Sequence, residues 1–403
     1  MKYTREEVLQ YVQEEDVKFI RLAFCDVFGK QKNISILPDE LLRAFDSGIA
    51  FDASAIAGFL DEAHSDLLLR PDPATLTLLP WRPEHGKVVR MFSSVMHPDG
   101  TPFESDTRRL LQAAVAEAEA DGLSFAFGSE QEFYLFRLDE TGLPTKIPYD
   151  AAGYMDIAPE DKGENIRREI CLTLEQMGIR PERSHHEQGP GQNEIDFRYS
   201  DALTAADSAQ TFQTVVRTVA GRNGLYADFS AKPLTDAPGN GFHINISVRT
   251  SDSGDRMAQM IAGILAHAEE MTLFLNPTET SYARFGSDKA PRYVSWSAGN
   301  RSQLVRIPAA EGEYRRAELR SPDPTANPYL AFALLIRAGM DGIRSGLTLP
   351  PAADINLYEA NKRITEKFRR LPDTLAAAQQ IAMESDFIRT FIPQAILDSY
   401  CGR

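Results

Sequence analysis

Four stretches of the chain alternate polar and apolar residues with a period of two, and each carries charge where an ordinary strand would not. In "FGSEQEFYLF" (127–136), Glu130 and Glu132 sit two positions apart within an aromatic and aliphatic run. Successive strand side chains point to opposite faces, so both acids share one face. "GFHINISV" puts His243, Asn245 and Ser247 on one face and Phe242, Ile244, Ile246 and Val248 on the other. "RRAELRS" aligns Arg316, Glu318 and Arg320, and "GQNEIDFRY" aligns Glu194, Asp196 and Arg198. A single such strand describes a solvated sheet face. Four of them together predict a concave antiparallel sheet whose polar face is an active site, because crowded acids are costly to bury without partners.

Elsewhere the period is helical. A helix is expected over roughly 4–13, then two strands in "VKFIRLAFCDVFGKQKNISI" around the turn "DVFGK". Pro and Gly punctuate the chain up to a boundary near residue 100. Beyond it, "SDTRRLLQAAVAEAEADG" has a capping residue, helical spacing and a terminal Gly. Further helices are predicted over about 164–178, 201–223, 254–274, 327–345 and 373–383. Pro328 in a first turn and Gly346 just past an end frame the fourth of these. The pattern is α+β: a small mixed domain over 1–98 and a large domain over 99–403 containing the polar-faced sheet.

Composition narrows the partners. The chain has 403 residues, 43% of them hydrophobic, with a net charge of −15. That sign argues against nucleic acid or an anionic membrane as the main partner and leaves room for bound cations. The charged N-terminus does not read as a signal peptide, and no apolar run is long enough to cross a bilayer. Cys25, Cys171 and Cys401 form no metal or redox pattern, which fits a reducing cytoplasm.

The residue types on the polar faces indicate what they hold. "SHHEQGPGQNE" brings Glu187 and Glu194 to either side of a Gly-Pro-Gly turn. With Glu130, Glu132, Glu318 and His243 they make an oxygen-rich set with one imidazole, suited to Mg²⁺ or Mn²⁺. His185 and His186 adjoin Glu187 on different faces, and packed or surface roles are expected for both. Arg301, Arg306, Arg316 and Arg320 supply guanidinium groups for phosphate oxygens. Metals and arginines without a Gly-rich phosphate loop point to phosphoryl transfer from a nucleotide on a sheet platform. Gly239 and Gly241 in "APGNGFH" mark a turn or a close backbone approach to a ligand.

Taken in order, "FDASAIAGF", "FGSEQEFYLF", "SHHEQGPGQNEIDF", "KPLTDAPGNGFHINIS", "LNPTETSYARF", "WSAGNRSQLVRIP" and "RRAELRSPDPTANPYLAFA" resemble the successive signatures of type I glutamine synthetases. The resemblance implies a β-grasp-like N-terminal domain and a catalytic domain with an open, funnel-shaped antiparallel sheet flanked by helices. It implies that ATP phosphorylates the γ-carboxylate of glutamate and that ammonia displaces the phosphate, with two or three Mg²⁺ or Mn²⁺ ions per site. Glu132, Glu187 and Glu194 would hold one ion, and Glu130, His243 and Glu318 another. Arg284 would grip the glutamate α-carboxylate, with Gly239 contacting the amino acid through its backbone. Arg301, Arg306 and Arg316 would address ATP phosphates and Arg320 the transferred group, with Glu182, Asn245 and Ser247 near the nucleotide. Asp52 matches the acid that deprotonates ammonium from across a subunit boundary, which implies a homo-oligomeric ring, usually a dodecamer.

The sequence departs from that family at the mobile flap. Where the family carries a glutamate before an Ala-Pro pair, "RFGSDKAPRY" has Lys289, with Asp288 beside it. A charged lysine accepts no proton and repels ammonium. The expectations open here are a substitution by Asp288, a Lys289 turned to solvent, or a changed acceptor such as a primary amine. A relative without catalytic activity is the further alternative. Pro238 replaces a glutamate-contacting Asn of many members.

Overall fold

In the computed structural model, which describes residues 3–82, 85–252, 254–287, 289–309, 312 and 315–402, two sheets each carry their own hydrophobic core. The first sheet contains β1 (Val17–Cys25), β2 (Gln31–Ile36), β3 (Ile49–Asp52), β4 (Asp66–Pro71), β5 (Thr77–Leu78) and β6 (Lys87–Met96). Its order is β2-β1-β6-β4-β3 with β5 beside β6, and β1 runs parallel to β6. The apolar residues of β1, among them Ile20, Leu22 and Phe24, pack with Val8 and Val12 of the helix Arg5–Glu14. That helix starts at Thr4, which forms a capping box with Glu7 and so satisfies otherwise unpaired N–H groups. This is a β-grasp arrangement.

The second sheet has nine strands: β7 (Leu123–Leu138), β8 (Pro144–Pro148), β9 (Pro181–His186), β10 (Gln192–Asp201), β11 (Leu225–Asp228), β12 (Phe242–Thr250), β13 (Trp296–Ala298), β14 (Val305–Ile307) and β15 (Ala317–Leu319). The main path is β13-β14-β15-β12-β7-β10-β9, and β8 and β11 also pair with β7. All pairs are antiparallel except β13 with β14, so the sheet is mixed at that edge. One face is covered by the helices Thr107–Ala120, Ala202–Arg222 and Pro328–Arg344, whose apolar residues join Phe127, Phe133, Ile195 and Ile244 in the core. The other face carries the polar residues.

Two expectations are corrected. The helix foreseen over 254–274 is two helices, Met257–Ala266 and Ala268–Leu275. The break falls at His267, whose ring bonds Glu270 and Asp341 and stacks on Phe387 at 3.9 Å. "RRAELRS" is a strand only over Ala317–Leu319, so Arg316 and Arg320 flank it instead of lying within it.

The turn between β1 and β2 ties the two domains together. Asp26 Oδ1 accepts from the Phe28 N–H at 3.0 Å and the Lys30 N–H at 2.8 Å. Gly29 adopts φ +78°, and a Cβ there would lie 2.9 Å from Asn327 Cα, so only glycine fits. Asn327 caps the helix Pro328–Arg344 and also donates to the Val27 carbonyl at 3.0 Å.

Candidate active site

Strand register assembles the site. Glu130 on β7 lies opposite His243 on β12 and opposite Asp196 on β10, while Glu132 lies opposite Glu194. On the far side of β12, Asn245 lies opposite Glu318 of β15. The four polar-faced stretches therefore meet on one surface, and their apolar partners point into the core.

The half of the site around Glu132 is closed and organised by hydrogen bonds, with Arg284 Nε left unpaired. Glu132 Oε2 accepts from the Gly241 N–H at 2.8 Å and from Gln192 Nε2 at 3.1 Å. The same Gln192 amide reaches the Gly239 carbonyl at 3.1 Å. Any Cβ on Gly239 would stand 2.5 Å from the Ala231 carbonyl oxygen and 2.6 Å from Arg284 Cγ, which fixes the close packing of this backbone. Arg284 is 3% exposed, donates to the Ser321 carbonyl at 3.0 Å and pairs with buried Asp323 at 3.8 Å. A cavity of about 20 Å³ remains between Glu132, Glu187, Gln188, Gly239, Arg284 and Lys289.

The half around Glu130 is an open cleft of about 440 Å³ lined by Glu130, Glu182, Asp196, Tyr199, Asn245 and Arg316 among others. Asn245 Nδ2 donates to Glu130 Oε1 at 3.0 Å, and its own oxygen accepts from Arg316 Nε at 2.8 Å. His243 Nδ1 lies 3.4 Å from Glu130 Oε2. Arg306 donates to Glu318 at 2.6 Å, and Arg320 donates to the other oxygen of the same carboxylate. Two larger surface cavities, of about 620 and 790 Å³, lie elsewhere and gather none of these convergent acids and arginines except His185 at the edge of one.

Electrostatics distinguish the acids. Burial raises Glu130, but the His243 hydrogen bond, Asn245 and Arg320 outweigh it and leave the acid at about 2. Burial raises Glu132, and Glu187 adds to that rise. Glu194 is pushed well above the carboxylate range by burial and by Asp196, Glu132 and Glu130; burial and Glu130 lift Asp196 to about 6. The chain's own cations thus stabilise ionised Glu130 but leave Glu194 and Asp196 under-neutralised.

Three groups have ligand atoms within 4.8 Å of one another: Glu130–His243–Glu318, His185–Glu187–Glu194 and Glu130–Glu194–Asp196. Oxygen-rich sets with one imidazole fit hard divalent cations, and the raised Glu194 and Asp196 show where extra positive charge would be stabilising. His185 takes the place foreseen for Glu132 in the second group. Its ring bonds Glu187 Oε1 at 3.2 Å, and it lies opposite Glu194 in register, so it faces the site instead of packing away from it. The signal was present, since His185 and Glu187 share parity in "SHHE". His186 is buried, between Asp150 at 2.9 Å and the Glu187 carbonyl at 2.7 Å. A similar Asp150–Asp161–His186 group is already satisfied internally, with Arg167 paired to Asp161.

Some expected residues stand apart. Arg301 is exposed, and its carbonyl accepts from Tyr358 at 3.3 Å. Ser247 lies beyond Asn245, beside Tyr199. Asp52 is exposed at the end of β3, its carboxylate held by Ser54 at 2.7 and 2.9 Å, and it lines neither half of the site within one chain. Asp288 lies outside the described residues. Lys289 does not turn to solvent: it is half-buried, lines the small cavity and places Nζ 4.7 Å from the Tyr154 ring centroid. Tyr154 and Arg183 were not foreseen at the site, and Asp196 was foreseen on the polar face but without a ligand role. Arg183 pairs with Asp196 at 2.6 Å.

A β-grasp domain beside a sheet lined with paired acids and arginines is an arrangement suited to metal-dependent phosphoryl transfer. "Glutamine synthetase, beta-Grasp domain" matches residues 16–98 and "Glutamine synthetase, catalytic domain" matches residues 104–402. The chain belongs to the glutamine synthetase family. It is 42% identical to a glutamine synthetase of Clostridium saccharobutylicum, covering 99% of this chain and 94% of that one. It is likewise 42% identical to a glutamine synthetase of Methanosarcina mazei, covering 98% and 92%. The solved structure described as a GmaS/ADP complex superposes with a TM-score of 0.88 at 28% identity, covering 98% of this chain and 94% of that one. Among the described residues, no helix is long and apolar enough to cross a membrane.

Proposed function

We propose that this site joins glutamate to ammonia at the expense of ATP through a γ-glutamyl phosphate, with the two halves of the sheet face dividing the substrates. The observation that carries the division is the contact of Arg320 with Glu318 on one side and with the Lys289 carbonyl, at 3.3 Å, on the other. Arg320 thus links the Glu318 carboxylate, which lies opposite Asn245, to the backbone of Lys289 beside the small cavity, and this link supports the division. ATP occupies the cleft, with Glu182, Asn245 and Ser247 on the nucleoside side and Arg301, Arg306 and Arg316 toward the phosphates. Likeness to a structure described as an ADP complex supports an adenine nucleotide there.

Glutamate is assigned to the Glu132 half, its α-carboxylate on Arg284 and its backbone contact at Gly239, where the present space of about 20 Å³ must widen to admit it. Glu130, His243 and Glu318, and Glu187 and Glu194 with Glu132 or His185, would hold divalent cations, Mg²⁺ or Mn²⁺ by the nature of these donors, which would supply positive charge for the transferred group. The γ-carboxylate oxygen attacks the terminal phosphorus and the bond to ADP breaks, with Arg320 beside the moving charge. Ammonia then attacks the acyl carbon and phosphate leaves with the former carboxylate oxygen.

The division into domains at 1–98 and 99–403 belongs to this reading and is supported by the separate cores. A homo-oligomeric ring, a dodecamer by family resemblance, belongs to it too: Asp52 lines neither half within one chain and would act from a neighbouring copy. The three free thiols suit a reducing cytoplasm. A second reading, a glutamate–amine ligase with the same chemistry, is favoured by Lys289 in the cavity. Glutamate-dependent phosphate release with ammonia, methylamine and spermidine separates the two. Turnover with ammonia is expected; turnover with an amine alone would replace the first reading by the second.

A further inference from the structure

A second cluster of arginines lies between the β-grasp domain and the catalytic domain, and it shares no lining residue with either half of the site. Arg21 on β1 and Arg90 on β6 are register partners on adjacent parallel strands, so their side chains leave the sheet on the same face, side by side. With Trp81 they meet Met177, Thr211 and Thr214 of the catalytic domain around a cavity of about 30 Å³.

Arg90 is 7% exposed. Its Nη1 donates to Thr211 Oγ1 at 2.8 Å and its guanidinium carbon lies 4.0 Å from the Phe92 ring centroid, but its Nε is buried without a partner. The Nε of Arg21 is buried and unbonded as well. Among the described residues, no carboxylate pairs with either guanidinium. Asp207 is near enough to act on Arg90 by its charge, yet its carboxylate is taken by Arg108 at 2.9 and 3.0 Å and by the Tyr329 hydroxyl at 2.8 Å. Burial pushes Arg90 down to about 10, and burial together with the charge of Arg82 lowers Arg21.

Two neighbouring cations that lose hydration without gaining a counter-charge are costly, and an anion between them would relieve both costs. Guanidinium forks match the oxygens of carboxylates and phosphates. A space of about 30 Å³ admits roughly two water-sized atoms, which suits two oxygens of such a group, with the rest of it toward the partly exposed Trp81.

We infer that the cavity between Arg21 and Arg90 binds a small oxyanion, a carboxylate or phosphate group, which fastens the β-grasp domain to the helix Ala202–Arg222. Thr211 and Thr214 on that helix line the cavity. The same helix carries Gln213, which donates at 3.2 Å to Gln131, the residue between Glu130 and Glu132. The ligand therefore bears on the strand that holds the active site without entering it.

The chain has two tryptophans, Trp81 and Trp296, so Trp296→Phe leaves the indole at the cavity as the only one and its fluorescence reports the site. In that full-length variant, acetate and inorganic phosphate are each titrated against chloride at fixed ionic strength. A saturable change in Trp81 emission is expected with at least one oxyanion, together with a rise of a few degrees in Tm. A response to acetate alone would name a carboxylate ligand, and a response to phosphate alone a phosphate ligand. Arg21→Gln and Arg90→Gln should each weaken that binding by about tenfold or more. Arg21 is only partly buried, so its variant carries the test if Arg90→Gln does not fold. No saturable change beyond that given by chloride, or an unchanged affinity in Arg21→Gln, would overturn the inference and leave the ligase reading untouched.

Discussion

Glu130 and Glu132 lie two residues apart on one face of β7, and their surroundings drive them in opposite directions. Around Glu132, the Gly241 N–H, the Gln192 amide, Gly239 and Arg284 close a small, bonded cavity in which burial raises the acid. Around Glu130, an imidazole, an amide and a guanidinium hold the acid at about 2 even though it is buried, next to Glu194 and Asp196, which are raised. The first region is organised by hydrogen bonds from the chain, and the proposed function assigns it the amino-acid substrate. The second gathers more negative charge at Glu194 and Asp196 than the chain neutralises, which is the condition for cation binding. One strand thus serves two kinds of recognition because its neighbours differ: Gly241 and Gln192 at one end, His243 and Asn245 at the other.

The largest expected effect separates the two acids by what each change costs. Glu130→Gln removes a charge from the phosphoryl-transfer side and should lower kcat by about 10³-fold. Glu132→Gln should act mainly through the KM for glutamate, and equal losses of kcat in both variants would break the comparison. Next in size, Arg284→Lys should raise the KM for glutamate about 30-fold or more while leaving that for ATP within about twofold. Arg316→Lys should do the reverse, with an increase of about tenfold in the KM for ATP.

Addition of Mg²⁺ or Mn²⁺ to metal-stripped protein should stabilise it by about 3 kcal/mol at a hundredfold excess over Kd, seen as a rise of a few degrees in Tm. Glu194→Gln should reduce that rise, and a protein indifferent to divalent ions would contradict the charge-concentrating half. The smallest effect lies outside both halves, at an acid with its own partner. Burial raises Asp228, but the Lys146 hydrogen bond and Ser230 outweigh it and hold the acid below its ordinary value. A depressed folded-state pKa contributes stability above the unfolded value and loses it as pH falls through the folded one. Lys146→Met should therefore cost about 0.5–1 kcal/mol at neutral pH, with the difference from wild type vanishing in acid. Equilibrium unfolding at several pH values measures it.

The faces of β7, β10 and β12 were legible because alternation depends only on parity, and parity placed Glu130, Glu132, Glu194, His243 and Asn245 on one side. What parity does not supply is register between strands. His185 shares parity with Glu187, yet only the pairing of β9 with β10, His185 opposite Glu194, brings its ring to the site. Arg183 reaches Asp196 for the same reason. Tyr154 lies in an irregular stretch with no period to read, so its place over Lys289 emerges only from the packed chain. The division of the 257–275 segment at His267 was hidden as well, because the break comes from contacts with Asp341 and Phe387, remote in sequence.

The central claim is that Arg320 marks the passage of a phosphoryl group from the Glu130 half to a glutamate held in the Glu132 half. It is tested most directly with glutamate labelled by ¹⁸O in its γ-carboxylate, supplied with ATP, Mg²⁺ and ammonia. One labelled oxygen should appear in each phosphate released, because the acyl phosphate leaves with an oxygen that came from glutamate. Phosphate released without label, or ATP hydrolysed with no dependence on glutamate, would contradict the account.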